Sequence, residues 1–164
     1  MRSSRRRSVP VMTTRINFAS ASPAVRTALV ALDVAGRNGI DPALAELIKI
    51  RASQLNGCAF CLHMHTTDAR KAGESEERLA LVAVWRDASN FFDEKEQAVL
   101  ALTEQVTLIS QGGVSDEVYE RVAQHFDEHQ IGQLLAQIFT INAWNRIGVS
   151  THLVPGVNNP GRSA

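Results

Sequence analysis

Residues 46–65 read E-L-I-K-I-R-A-S-Q-L-N-G-C-A-F-C-L-H-M-H, and they hold the only two cysteines of the chain, Cys58 and Cys61, at C-x-x-C spacing. Leu44, Leu47, Ile48 and Leu55 recur with the period of a helix. Asp41-Pro42 marks the start of that helix, an N-cap followed by proline in the first turn, and Asn56-Gly57 marks its end. A second helix opens at the cysteines and runs to Ala72-Gly73. Residues three and four apart on a helix share a face, so Cys58, Cys61 and His65 line one stripe. Glu46 stands twelve residues before Cys58, on the preceding helix.

The same signals extend outward in both directions. Thr13 to Ser22 is polar and reads as an extended arm. Ser22-Pro23 opens a helix to about Gly36, with Val25, Leu29, Leu32 and Val34 as its expected buried stripe. Glu74-Ser75 begins the helix after the cysteines, with Glu76 and Glu77 in the first turn, where the helix dipole favours acids. Its apolar run from Leu79 to Trp85 is nearly continuous and is expected to be buried on most sides. Ser89 to Asp93 reads as a loop, and Asp93 caps a helix from Glu94 to Ser110 whose inward side is Ala98, Leu102, Val106 and Ile109. Gly112-Gly113 is a turn, and Ser115 caps a short helix through His125-Phe126. Asp127 caps the last long helix, with Ile131, Leu134, Leu135, Ile138, Ile141 and Trp144 facing inward. No stretch alternates strictly and no hairpin dipeptide separates β-branched runs, so the chain is predicted to be all-α, with about seven helices.

One domain is expected for 164 residues, spanning residues 16–153. Only 5% of residues are aromatic, and Ala, Leu and Val dominate the apolar 45%, a composition suited to closely packed helices. The formal charge of zero hides a split: Arg2, Arg5, Arg6 and Arg7 leave 13 basic against 17 acidic residues for the rest. An acidic body argues against nucleic-acid binding. No apolar run is long enough to span a membrane. Residues 1–15 read as a disordered basic extension without the apolar run of a secretory signal. A nucleic-acid-binding arm, a transit-like segment and a true start at Met12 are its other readings. Residues 154–164, rich in Pro, Gly and Asn, read as a disordered tail. Two cysteines at this spacing suit a reducing, cytoplasmic setting better than a secreted disulfide framework.

The chemistry these residues suggest is that of a reactive dithiol. A thiolate, not a thiol, attacks a peroxide or a disulfide, and an unassisted cysteine has a pKa of about 8.5. The N-terminus of the second helix stabilises a thiolate on Cys58, the neighbouring thiol can donate to it, and His65, one turn beyond Cys61, can take the proton. Glu46 could orient His65 or pass the proton on. Sulfenic acid on one cysteine would then close to a disulfide with the other. The competing readings are zinc, with His63 or His65 added to the pair, and cysteines that merely pack. Zinc lacks a second ligand pair, since His125, His129 and His152 show no tight spacing. A c-type haem would need histidine where Leu62 stands, and a thioredoxin-like motif would need a βαβ setting. His63 reads as a surface residue, Lys49, Arg51 and Lys71 as solvated helix charges, and Trp85 and Trp144 as core.

At these residues the sequence resembles the carboxymuconolactone decarboxylase-like family, and within it the alkyl hydroperoxidase D (AhpD)-like branch. The matching pattern is Glu46, eleven residues, Cys58, two residues, Cys61, three residues, His65. K-I-R-A-S-Q-L-N-G-C-A-F-C and M-H-T-T-D-A-R-K-A-G-E look like the family core, and similarity continues through A-V-W-R, T-E-Q-V-T and I-N-A-W-N-R, from about Ile16 to Ser150. The resemblance implies an all-helical subunit assembling into trimers or hexamers. It implies a thiol-dependent peroxidase with an antioxidant role, working without haem, flavin or metal, on a hydroperoxide and with a thiol or lipoyl reductant protein. It implies Cys61 as the peroxidatic residue and Cys58 as the resolving one, with Glu46 and His65 relaying the proton. Helix-terminus physics alone favours Cys58 for the first role. His63 stands where relatives often carry an acid. The alternative function is a non-enzymatic redox sensor or assembly module, or a general thiol–disulfide oxidoreductase.

Overall fold

Helix starts in this chain are made by short polar side chains that satisfy the free N–H groups of the first turn. Asp41 Oδ1 accepts from the backbone of Ala43 and Leu44, and Ser75 and Ser115 accept from Arg78 and Val118. Asp93 with Glu96, and Asp127 with Gln130, form reciprocal capping boxes. A computed structural model describes residues 13–156. Among them are eight α-helices and no strand: α1 Phe18–Ala21, α2 Pro23–Gly36, α3 Pro42–Leu55, α4 Ala59–Lys71, α5 Glu76–Leu81, α6 Glu94–Thr107, α7 Asp116–Ala123 and α8 Glu128–Thr151. The expected all-α architecture is what the chain adopts. The helix beyond the expected seven is α1, a single turn capped by Asn17 inside the segment read as an extended arm.

The centre of the fold is α3, which packs on α4, α6 and α8. Its Leu47, Ile48, Ile50 and Ala52 are buried, as are Val99, Leu100 and Leu102 of α6 and Leu134, Ile138 and Ile141 of α8. Leu135 and Trp144, expected to face inward, are only partly buried against this core. Arg15 donates its backbone N–H to Thr151 O at 2.8 Å, which ties the start of the described chain to the end of α8. Most of the expected basic extension and of the expected tail lie outside the described residues.

Three expected faces are corrected by the packing. Three of the four residues assigned to the buried stripe of α2 point outward, Val25 at 51%, Leu32 at 43% and Val34 at 65% exposure, and Leu29 is half-buried. The helix instead docks through Gly36, where a Cβ would lie 2.8 Å from Gln137 Nε2 and 3.1 Å from Ala136 Cβ of α8. Gln137 also donates to the Asp33 carbonyl. A close helix–helix approach built on glycine leaves the larger valines no room on the docked side. The Leu79–Trp85 run is split, because α5 gives way to a 3-10 turn at Val82–Val84. Leu79, Val82 and Trp85 are buried, whereas Ala83 and Val84 are exposed. The helix expected to reach Ser110 ends at Thr107, and Ile109 lies exposed in the 3-10 turn Ile109–Gln111.

Candidate functional site

Helix α3 must stop abruptly for the next helix to begin at the cysteines. It does so in a Schellman motif: Cys58 N–H donates to Ser53 O at 3.0 Å, Gly57 N–H donates to Gln54 O at 3.3 Å, and Gly57 has φ +65. Glycine is the residue that takes this left-handed conformation without strain. Cys58 then serves as N-cap of α4, and its Sγ accepts the Cys61 backbone N–H at 3.3 Å. The two sulfurs are paired as a disulfide, with Cα atoms 5.4 Å apart. Both are buried, Cys58 to 2% and Cys61 to 3% exposure.

One turn further along α4, His65 is also buried, and its Nδ1 lies 2.8 Å from Glu46 Oε2 of α3. An ionised Glu46 accepts the Nδ1–H, which leaves Nε2 as the basic nitrogen of the ring. Burial would raise the Glu46 pKa. The hydrogen bond and charge of His65, together with Lys49 and Arg37, outweigh burial and hold the carboxyl below its ordinary value. The four residues singled out from sequence thus form two pairs, Cys58 with Cys61 and His65 with Glu46, with Cys61 and His65 one turn apart on α4 and the two helices joined by the turn at Asn56-Gly57. His63, on the same helix, is exposed. Among the described residues no group of three His, Cys, Asp or Glu side chains is placed to hold a metal ion.

Several neighbours were not legible as such. Gly148 of α8 lies against the disulfide: a Cβ there would sit 2.9 Å from Cys58 Sγ and 3.5 Å from Cys61 Sγ. A polar network then fixes the turn before Cys58. Asn56 Nδ2 donates to Asn142 and Asn145, Asn145 donates to Ser53, and Asn142 donates to Thr107. Asn142 and Asn145, in the I-N-A-W-N-R stretch, are the available signal, since polar residues at i, i+3 in an apolar helix need partners.

Two residues read as solvated charges are not solvated. Lys49 is 2% exposed, with Asp33 Oδ1 at 3.5 Å and Glu46 Oε1 at 3.7 Å. Burial pushes its pKa down, against the upward pull of those two acids. Its position between Ile48 and Ile50, inside an apolar run, was the signal in the sequence. Arg51 pairs with Glu104 of α6, which also accepts from Trp85 Nε1 at 2.9 Å and from Arg86. Burial would raise the Glu104 pKa, and the bonds from Trp85 and Arg86 with the charge of Arg51 hold it low. Trp85 is core, as expected.

Residues 19–104 match the model of the carboxymuconolactone decarboxylase family. The protein YdfG of Bacillus subtilis (strain 168) is 47% identical over 114 residues, covering 70% of this chain and 77% of its own length. A structure from Agrobacterium tumefaciens, of unknown function and suggested to be the antioxidant defence protein AhpD, is 39% identical. It superposes with a TM-score of 0.85 over 89% of this chain and 100% of its own. The debrominase Bmp8 shares the fold, with a TM-score of 0.71 over 83% of this chain and 73% of its own, at 18% identity.

Proposed function

The chain belongs to the carboxymuconolactone decarboxylase family, and on that footing we propose that it is a thiol-dependent peroxidase of the alkyl hydroperoxide reductase type. The observation that carries this reading is the Cys58–Cys61 pair at the start of α4, one turn from a histidine bonded to Glu46. In the reduced protein His65 takes the Cys61 proton, and the thiolate attacks the outer oxygen of a hydroperoxide. The O–O bond breaks, Cys61 becomes a sulfenic acid, and the departing alkoxide collects the proton as an alcohol. The Cys58 thiol then attacks the sulfenic sulfur, water leaves, and the disulfide forms. A dithiol or lipoyl protein returns two electrons and two protons. The assignment of Cys61 as the attacking residue comes from the family pattern. The Cys58 sulfur receives the helix N–H, so Cys58 is the competitor.

The family fold hosts other reactions, as the debrominase illustrates, so the peroxide itself is to be tested. Turnover of organic hydroperoxides by the purified protein, with thioredoxin, glutaredoxin-type and lipoyl donors, is expected for the wild type. It is expected to vanish in Cys61→Ser. No turnover with any donor would reject the reading.

A redox switch without turnover is the second reading, and the burial of both sulfurs favours it. Sustained consumption of peroxide separates the two. We also propose a homo-oligomer, trimer or hexamer. The runs Leu79–Trp85 and Leu134–Trp144 suggested one from sequence, but their largest side chains are mostly covered within the chain. Val84 and Phe139 of those runs are exposed, and the outward side of α2 adds Val25, Val30, Leu32 and Val34. A second copy would cover that helix.

A further inference from the structure

We infer that Lys49 is a positioning residue for the thiol site, its buried ammonium fixing the Glu46 carboxylate beneath His65. The inference rests on the proposed dithiol reading for its purpose, though not for its geometry. Lysine is seldom fully buried unless paired. Here the side chain is 2% exposed, and its Nζ makes no hydrogen bond among the described residues. It stands between two carboxylates on different helices, 3.5 Å from Asp33 Oδ1 on α2 and 3.7 Å from Glu46 Oε1 on α3. At those separations it acts through charge more than through a directed bond.

The two oxygens of Glu46 divide their work. Oε1 faces Lys49 and Oε2 bonds His65 Nδ1. The result is a line of alternating charge, Arg37, Asp33, Lys49 and Glu46, that ends on the His65 ring of a third helix. Glu74, across a small cleft that Glu46 lines, is already paired with Arg78. Without the ammonium, Glu46 would be a largely buried carboxyl supported by His65 and by Arg37, whose own salt bridge is to Asp33. A carboxyl that keeps its own proton no longer fixes the histidine tautomer that leaves Nε2 basic. Lys49 has no direct part in the sulfur chemistry; it acts through Glu46.

The test compares wild type with Lys49→Met and Asp33→Asn, all reduced. The Glu46 carboxyl is followed by carbon-13 NMR against pH, and thiol alkylation by iodoacetamide is followed in parallel. Lys49→Met is expected to raise the Glu46 midpoint by about one unit or more, the size of a nearby opposite charge. The acid limb of alkylation should move with it. Asp33→Asn keeps the ammonium and is expected to leave the midpoint unraised. An unmoved midpoint in Lys49→Met, or an equal rise in Asp33→Asn, would overturn the inference. If the Met variant does not fold, Lys49→Gln takes its place with the same expected result. Neither readout uses peroxide. A protein that turns over no peroxide but shows the shift would overturn the peroxidase reading alone, and an active enzyme with no shift would overturn the role of Lys49 alone.

Discussion

Nδ1 of His65 lies 2.8 Å from Oε2 of Glu46, a residue 19 positions earlier and on a different helix. If this pair serves the thiol as one unit, Glu46→Gln and His65→Gln should each slow peroxide reduction by ~10²-fold, the scale of general-base catalysis. The double variant should be little worse than the poorer single one, because losses within one relay do not add. Stopped-flow consumption of hydroperoxide by the reduced proteins measures this. Full additivity would separate the two residues into independent roles.

Gly148 faces both sulfurs at a distance no larger side chain can share. Gly148→Ala should therefore force α8 or the Cys58 sulfur aside, at a cost of about 1–3 kcal/mol for overpacking. Gly132, on the same helix, has no atom of the described residues within 4 Å of where a Cβ would stand, and Gly132→Ala should be neutral or stabilising by about 0.5–1 kcal/mol. Chemical denaturation of the oxidised proteins checks both signs. A destabilised Gly132→Ala beside an unaffected Gly148→Ala would contradict the packing described.

Glu104 offers a pH test away from the thiols. Its folded pKa lies below the ordinary value of 4.5, because Trp85, Arg86 and Arg51 outweigh the burial that would raise it. A depressed carboxyl contributes stability that is complete above its unfolded pKa and is lost as pH falls through the folded one. Glu104→Gln should thus melt several degrees below wild type near neutrality, and the two melting curves should converge in acid. A gap that persists or widens as pH falls would show that hydrogen bonding, not charge, dominates this cluster.

The outward face of α2 predicts a change in assembly. Leu32→Glu together with Val25→Glu should convert an oligomer to monomer in sedimentation velocity, with helicity by circular dichroism unchanged. A wild-type protein that is monomeric at micromolar concentration would remove the need for a partner copy.

Much of this architecture could be read from local chemistry. Asp41-Pro42, Asp93 and Asp127 act only on the turn that follows them, so their meaning survives without tertiary context, and all three cap helices. Cys58, Cys61 and His65 were legible because spacing at the start of one helix places them together, and Glu46 because the short turn at Asn56-Gly57 packs α3 against α4. The valines of α2 were not, since which side of an apolar helix docks depends on Gly36 meeting Ala136 and Gln137, far along the chain. Lys49 is legible only in part: Glu46 is its i,i+3 neighbour on α3, whereas Asp33 joins it only once α2 and α3 are packed. Gly148 carried no local signal at all.

The most direct measurement is a single oxidation. Reduced protein is mixed with a stoichiometric amount of an organic hydroperoxide, quenched with an alkylating agent and digested. The peptide spanning Cys58 and Cys61 is expected to escape alkylation, lighter by two hydrogens, with an equal amount of alcohol formed. In Cys61→Ser no alcohol should form. Two alkylated thiols persisting after peroxide in the wild type would contradict the claim that this dithiol reduces hydroperoxides.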